Sequence, residues 1–269
     1  MALPPPGDSS TALVTGASAG IGVEIARCLA RRGHGVTLVA RREQRLRELA
    51  GELAAAHGIR AETIACDLGD AAARDRLAAE IETRGLEVEI LVNNAGFGGQ
   101  GTFVAMGRER QVDMVRLNVE AVVDTMGRYV PQMQSRGRGA VINVASTAAF
   151  QPMPDNATYA ASKAFVLNLG DAVQSELKGS GVTLTTLCPG PVRTEFAETA
   201  GISDAEERTP DFVWSSPADV AEQAVAGAEK GRRVVVPGML NQATAVAGQH
   251  SPRTLLLPLA KRIWRQASR

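Results

Sequence analysis

The chain has 269 residues, is 45% hydrophobic, and balances 29 Lys or Arg against 29 Asp or Glu. It can bury a sizeable core, and it lacks the net charge of a chain built to bind polyanions. No run of about 18 apolar residues occurs, which argues against a spanning helix, and residues 1–11 lack the charged and then apolar order of a signal peptide, so a cytoplasmic location is expected.

In chain order, residues 1–10 read as a flexible tail. Short β-branched or apolar runs follow at 12–15, 35–40, 62–66, 90–93, 140–145, 182–188 and 233–237. Between them lie segments of helical length and period, Ile21–Arg32, Arg42–Ala56, Ala71–Arg84, Arg108–Gln134, Thr158–Lys178 and Pro217–Lys230. This alternation predicts an α/β fold: a Rossmann-type, doubly wound parallel sheet of seven strands, with helices on both faces and ligands at the carboxyl ends of the strands. No repeat or linker divides residues 11–250, so one domain is expected, followed by an apolar, basic helical extension over 251–269. Cys28, Cys66 and Cys188 are widely spaced in apolar segments, as buried free thiols are, and no metal site is expected.

The first strand ends in Thr15-Gly16-Ala17-Ser18-Ala19-Gly20-Ile21-Gly22, which opens the first helix. Glycines there let a pyrophosphate approach the backbone N–H groups at the positive helix end, although any tight strand-to-helix turn also favours glycine. The letters Gly16 to Gly20 also match the nucleophile elbow of serine hydrolases, with Ser18 as nucleophile and His250 downstream. That fold needs earlier strands and an oxyanion loop, and only seventeen residues precede Ser18.

The second strand ends in Leu38-Val39-Ala40-Arg41-Arg42, without the Asp or Glu that would hold the ribose 2′-hydroxyl of NAD. Ala40 leaves space, and Arg41 and Arg42 offer planar, charged donors suited to a 2′-phosphate, or merely decorate a solvated helix start. NADP(H) is the expected cofactor. Farther along come Asp67, Asn94, Gly96, Asn118 and Ser146, each beyond a strand end or on the next helix. Tyr159 and Lys163 stand four residues apart, hence on one helix face. An ammonium beside the phenol would lower its pKa from about 10 toward neutrality, where acid–base catalysis works best.

Taken in order, TGxxxGxG, NNAG, Asn118, Ser146, YxxxK and Pro189-Gly190 resemble the short-chain dehydrogenase/reductase family over roughly residues 10–240. The resemblance implies an oxidoreductase in which Ser146 binds the substrate oxygen, Tyr159 moves the proton, Lys163 holds the ribose and tunes Tyr159, and Asn118 anchors a water relay. It implies that Gly16, Ser18, Gly20, Ile21, Gly22, Asn94 and Gly96 line the cofactor cleft, that Asp67 meets the adenine, and that Pro189, Gly190, Val192 and Thr194 hold the nicotinamide amide. Two departures stand out. Ala19 replaces the Lys or Arg that many NADP(H) members carry there, and Asn118 is followed by Val-Glu-Ala where many members have glycine three residues on. The second should alter helix packing and leave the Asn118 amide available.

Residues 194–216 read as a lid over the cleft, with Phe97, Phe150, Met153, Phe196 and Trp214 as an apolar wall for a hydrophobic ketone. From Lys230 to Arg269 there are eight Lys or Arg and no acid; nucleic acid is a weak reading, since no recognition motif accompanies the charge. Leucines and Trp264 among those cations allow peripheral contact with an anionic membrane, or packing on the domain or a second subunit. The extension resembles the family branch of long-chain 3-ketoacyl reductases, including reductases of mycolate-type keto lipids. A homodimer or homotetramer is expected through the helices at 108–134 and 158–178, with Ala160, Ala161 and Ala164 allowing close approach. Two further readings are a non-catalytic NADP(H)-binding regulator of the same fold and an NAD-linked alcohol dehydrogenase.

Overall fold

The computed structural model describes residues 3–196, 213–254 and 257–258. Seven apolar runs form strands β1 (Ser10–Thr15), β2 (Val36–Ala40), β3 (Ala61–Ala65), β4 (Glu87–Asn93), β5 (Gly139–Val144), β6 (Val182–Leu187) and β7 (Val234–Val235). They make one parallel sheet in the order β3-β2-β1-β4-β5-β6-β7. The chain reverses direction across the sheet between β1 and β4, and such a switch point opens a crevice at the carboxyl ends of the strands.

Alternation along the strands divides the core. Ala12 and Val14 of β1 point to one face, where α1 (Gly20–Arg31), α2 (Glu43–His57) and α7 (Pro217–Glu229) pack. Leu13 points to the other, under α3 (Ala71–Thr83), α5 (Ala121–Arg136) and α6 (Ala157–Glu176). Both faces are covered, so the central strands are rich in apolar and β-branched residues, with Thr11, Thr37, Thr185 and Thr186 as buried polar positions among the β-branched ones. Leu3, within the stretch read as a loose tail, is buried in the first of these cores.

Three elements differ from the expectation. The single helix expected over Arg108–Gln134 is α4 (Arg108–Val115), a π-helical segment Arg116–Glu120, and α5. The Ala121 amide donates to the Arg116 carbonyl, which inserts one extra residue and turns Asn118 inward. Second, β7 is only two residues long. Third, a helix α8 (Met239–His250) follows it, where the sequence pattern predicts no element.

Above the strand ends the pairing continues: the Ala145 amide donates to the Leu187 carbonyl at 2.7 Å, and Thr147 to Pro189 at 2.9 Å. The segments carrying Ser146 and Pro189 are thereby fixed side by side. The three cysteines are buried and unbridged. No helix among the described residues is long and apolar enough to cross a membrane.

Candidate active site

A cavity of about 1790 Å³ lies at the switch point. Its floor begins at the glycine turn, which the chain's own packing requires to be glycine. Gly16 has φ +66°, and a Cβ there would stand 2.7 Å from the Asn94 side chain. A Cβ on Gly22 would come within 2.5 Å of the Gly16 carbonyl. Asn94 ties the turn down, donating from Nδ2 to the carbonyls of Thr15 (2.9 Å) and Gly16 (3.2 Å). Thr15 Oγ1 receives the Asn94 and Ala95 amides. The helix start so formed has Ala19 as its N-cap, no capping side chain and no acid in its first turn. Ser18, Ala19, Gly20 and Ile21 present it to the cavity, so its positive end faces a space that suits a phosphate.

The two arginines after β2 differ. Arg42 donates from Nε to Ser18 Oγ at 3.1 Å and pairs with Glu195 at 2.6 Å, and Arg45 pairs with the same carboxylate. Arg41 lines the cavity and has no ion-pair partner among the described residues. Of the two cations expected at a 2′-phosphate, Arg42 is thus held by a carboxylate and Arg41 is not. Asp67 lines the same end, one carboxylate oxygen accepting the Gly69 amide at 3.0 Å.

At the opposite end, Ser146 follows β5 and its hydroxyl accepts the Ala148 amide at 3.1 Å; it lines the same cavity as Tyr159 and acts to lower the pKa of that phenol. Tyr159 is on the first turn of α6, its ring 5.7 Å from that of Phe196. Burial pushes the phenol up to about 12, against a smaller lowering from Ser146. Lys163, one turn on, is buried, donates from Nζ to the Val144 carbonyl at 2.8 Å, and is lowered by burial to about 8. The expected depression of the Tyr159 pKa by Lys163 is therefore absent in this arrangement: removal from water dominates both groups.

Asn118 is 1% exposed and lies behind the cavity wall, as does Gly22. Its amide is not available, contrary to expectation. Nδ2 donates to the Phe97 carbonyl (3.0 Å) and to Ser162 Oγ (3.1 Å), and Oδ1 accepts the Phe97 amide (3.1 Å). Ser162 in turn donates to the Tyr159 carbonyl at 2.7 Å. Gly96 is crowded by this group: a Cβ would meet Asn118 Oδ1 at 3.0 Å and Lys163 Nζ at 3.3 Å. The remaining expected cofactor residues, Pro189, Gly190, Val192 and Thr194, lie on the wall. Asn241 of α8, which sequence reasoning missed, presses on Gly190, where a Cβ would stand 2.3 Å from its Oδ1.

Of the expected apolar wall, Phe97, Met153, Phe196 and Trp214 line the cavity, whereas Phe150 packs on the second core instead. Most of the expected lid, residues 197–212, and most of the 251–269 extension lie outside the described residues. The rival nucleophile arrangement is not formed. Ser18 accepts from Arg42, and His250 is exposed at the end of α8 without a side-chain hydrogen bond among the described residues.

The family model for short chain dehydrogenases matches residues 10–204. A Streptomyces coelicolor protein provisionally named a ketoacyl reductase is 38% identical over 192 residues, covering 71% of this chain and 73% of its own length. A very-long-chain 3-oxoacyl-CoA reductase of Anas platyrhynchos is 33% identical over 198 residues, covering 72% of this chain and 63% of that protein. Among solved structures, a short-chain dehydrogenase from Sphingobium yanoikuyae in complex with NADPH superposes with a TM-score of 0.79 at 33% identity, over 89% of this chain and 92% of that one. The chain belongs to the short-chain dehydrogenase/reductase family. It is an oxidoreductase that uses a nicotinamide cofactor on a small carbonyl or alcohol substrate.

Proposed function

We propose that the protein reduces a hydrophobic ketone, with a 3-ketoacyl group as its substrate class, using NADPH. The observation that carries this reading is the meeting, in one cavity, of the Ser146–Tyr159 pair with the uncapped start of α1, joined by an apolar wall. The residues fit the cofactor: the glycine turn and the first turn of α1 for the pyrophosphate, Arg41 for a 2′-phosphate, Asp67 for the adenine side, Lys163 for the ribose, and the Pro189–Thr194 segment for the amide. When bound, the nicotinamide supplies the hydride. Tyr159, protonated through the neutral range, gives its proton to the carbonyl oxygen, and Ser146 donates a hydrogen bond to the same oxygen. Lys163, cationic below about pH 8, stabilises the phenolate left behind. Asn118 holds the Phe97 backbone and, through Ser162, the Tyr159 backbone, so it acts by positioning.

The names of the relatives support the substrate class. Pairing of two copies through α5 and α6 is also proposed, supported by Val123 and Phe165, which stand 44% and 41% exposed. Of the three alanines expected at that face, Ala160 is buried inside the subunit and does not reach it. Peripheral membrane contact through residues 251–269 is part of the same proposal, supported by the exposed Met239 and Val246 of the preceding helix.

Cofactor choice tests the reading. Titration of wild type and Arg41→Ala with NADPH and NADH, followed by nicotinamide fluorescence, should show an NADPH preference of about 10- to 100-fold that the variant loses, the effect of one charged hydrogen bond. Equal binding of both cofactors by wild type would contradict the Arg41 assignment and redirect the search to NAD-linked alcohol oxidation.

A further inference from the structure

Helix α8 has no part in the proton or hydride chemistry, yet one of its stripes forms a wall of the cavity. Leu240, Thr244, Ala247, Gly248 and Ser251 line it, a spacing of four, three, one and three residues that keeps to one side of a helix. The inner end of the stripe is fixed beside the Pro189–Gly190 turn: Asn241 presses on Gly190 and donates from Nδ2 to the Pro237 carbonyl at 2.8 Å. Farther along, Gly248 sits against Gln151, where a Cβ would be 3.0 Å from Oε1, so α8 is seated on the segment that follows Ser146. Eleven steps of helix separate Leu240 from Ser251, a run of about 16 Å at 1.5 Å per residue. Past Leu240 the residues facing the cavity are small, and no acid or base interrupts them. The cavity, about 1790 Å³, also holds the glycine turn, Arg41 and Asp67, so its volume is shared between the cofactor and the space along α8, and exceeds the ~300–1,000 Å³ that suits a single small ligand.

We infer that the α8 stripe is the floor of a channel for the alkyl chain of the substrate, running outward from the Pro189–Gly190 turn, and that Thr244 and Ala247 set how long a chain is accepted. This rests on the ketone-reduction reading for its substrate but not for its test. A linear chain laid along the stripe buries methylene groups at about 0.8 kcal/mol each, so affinity grows with length until the channel ends. A large side chain at Ala247 would stop the chain partway while leaving the reacting end untouched.

Calorimetric titration of the NADP⁺-loaded protein with saturated N-acetylcysteamine thioesters, which lack the 3-keto group and cannot react, reads the channel alone. Dodecanoyl should bind wild type at least 30-fold tighter than butanoyl. Ala247→Phe, and separately Thr244→Phe, should reduce that ratio to about threefold or less with butanoyl binding unchanged. Equal binding of the two thioesters by wild type would overturn the channel, and needs no variant to fold. A folded Ala247→Phe and Thr244→Phe that both keep the full ratio would overturn the assignment of α8 as its floor. Turnover of 3-ketododecanoyl thioester with NADPH is measured beside it. Its absence together with the chain-length ratio refutes the reduction reading and upholds the channel.

Discussion

The Lys163 ammonium stands 5.8 Å from the centre of the Tyr159 ring and donates instead to the Val144 carbonyl at 2.8 Å. The two groups share a helix face without a direct hydrogen bond, and burial moves each toward its neutral form. The phenol rises to about 12 and the ammonium falls to about 8.

That arrangement fixes the pH dependence. Tyr159 carries its proton throughout the neutral range, so it is ready to act as an acid, while Lys163 loses its charge as pH rises through about 8. The kcat for ketone reduction should be level below about pH 7 and fall above 8, and alcohol oxidation, which needs phenolate, should be slow at neutral pH and climb with it. Profiles of kcat in both directions check this. A reduction rate that rises through pH 8 would contradict it.

Burying Lys163 also costs stability. Its fall from 10.5 to about 8 corresponds to about 3 kcal/mol of unfavourable burial at pH 7, since the unfolded chain binds the proton more tightly. The penalty is full below pH 8 and is relieved between about 8 and 10.5. Lys163→Met, which forfeits the bond to Val144, should raise Tm by about 2–6 °C while lowering turnover by about 100-fold or more. Thermal unfolding at pH 7 beside the rate measurement tests the trade; a lower Tm would contradict it.

Glu195 draws Arg42 and Arg45 together, and Arg42 first and then Arg45 hold its carboxylate below the ordinary range. The pairs are exposed, so each is worth no more than about 1 kcal/mol. Glu195→Gln should release Arg42 and tighten NADPH by up to about fivefold at low ionic strength, with the gain vanishing near 1 M salt. NADPH titrations at two salt concentrations measure it, and weaker binding in the variant would show that the carboxylate helps the site instead.

Asn118 makes three hydrogen bonds from a buried position, two of them to the Phe97 backbone. Asn118→Ala leaves the Phe97 amide and carbonyl unpaired at a cost of about 1–3 kcal/mol each, so Tm should fall by several degrees. Because Phe97 and Tyr159 lose their common anchor, kcat should fall with it. A variant with wild-type kcat would remove Asn118 from the positioning role.

The sheet was legible because parallel strands covered on both faces are rich in apolar and β-branched residues, and the seven runs all appear as strands. The glycine turn was legible for a reason that does not involve ligand at all: Gly16 and Gly22 are forced by contact with Asn94 and by each other. What failed depended on side-chain partners far away in sequence. Nothing in Arg116–Glu120 announces a π turn, whose single extra residue hardly disturbs the helical period, and the pinning of Asn118 by Phe97 needs the folded loop. Arg41 and Arg42 look alike until Glu195 is brought beside one of them. Helix α8 escaped notice because only Ala245 and Gly248 of it are buried, so its apolar residues do not follow a core-facing pattern. Ala160 was assigned outward for want of the register that α6 adopts on the sheet.

In the proposed reaction Tyr159 delivers the proton that accompanies hydride transfer to a ketone. Single-turnover transfer of deuteride from 4-deuterated NADPH to a 3-ketoacyl thioester, in wild type and Tyr159→Phe, tests it most directly. Wild type should place label on the product carbinol carbon, and the variant should be slower by about 10²–10⁴-fold with NADPH binding unchanged. Transfer at the wild-type rate by Tyr159→Phe would contradict it.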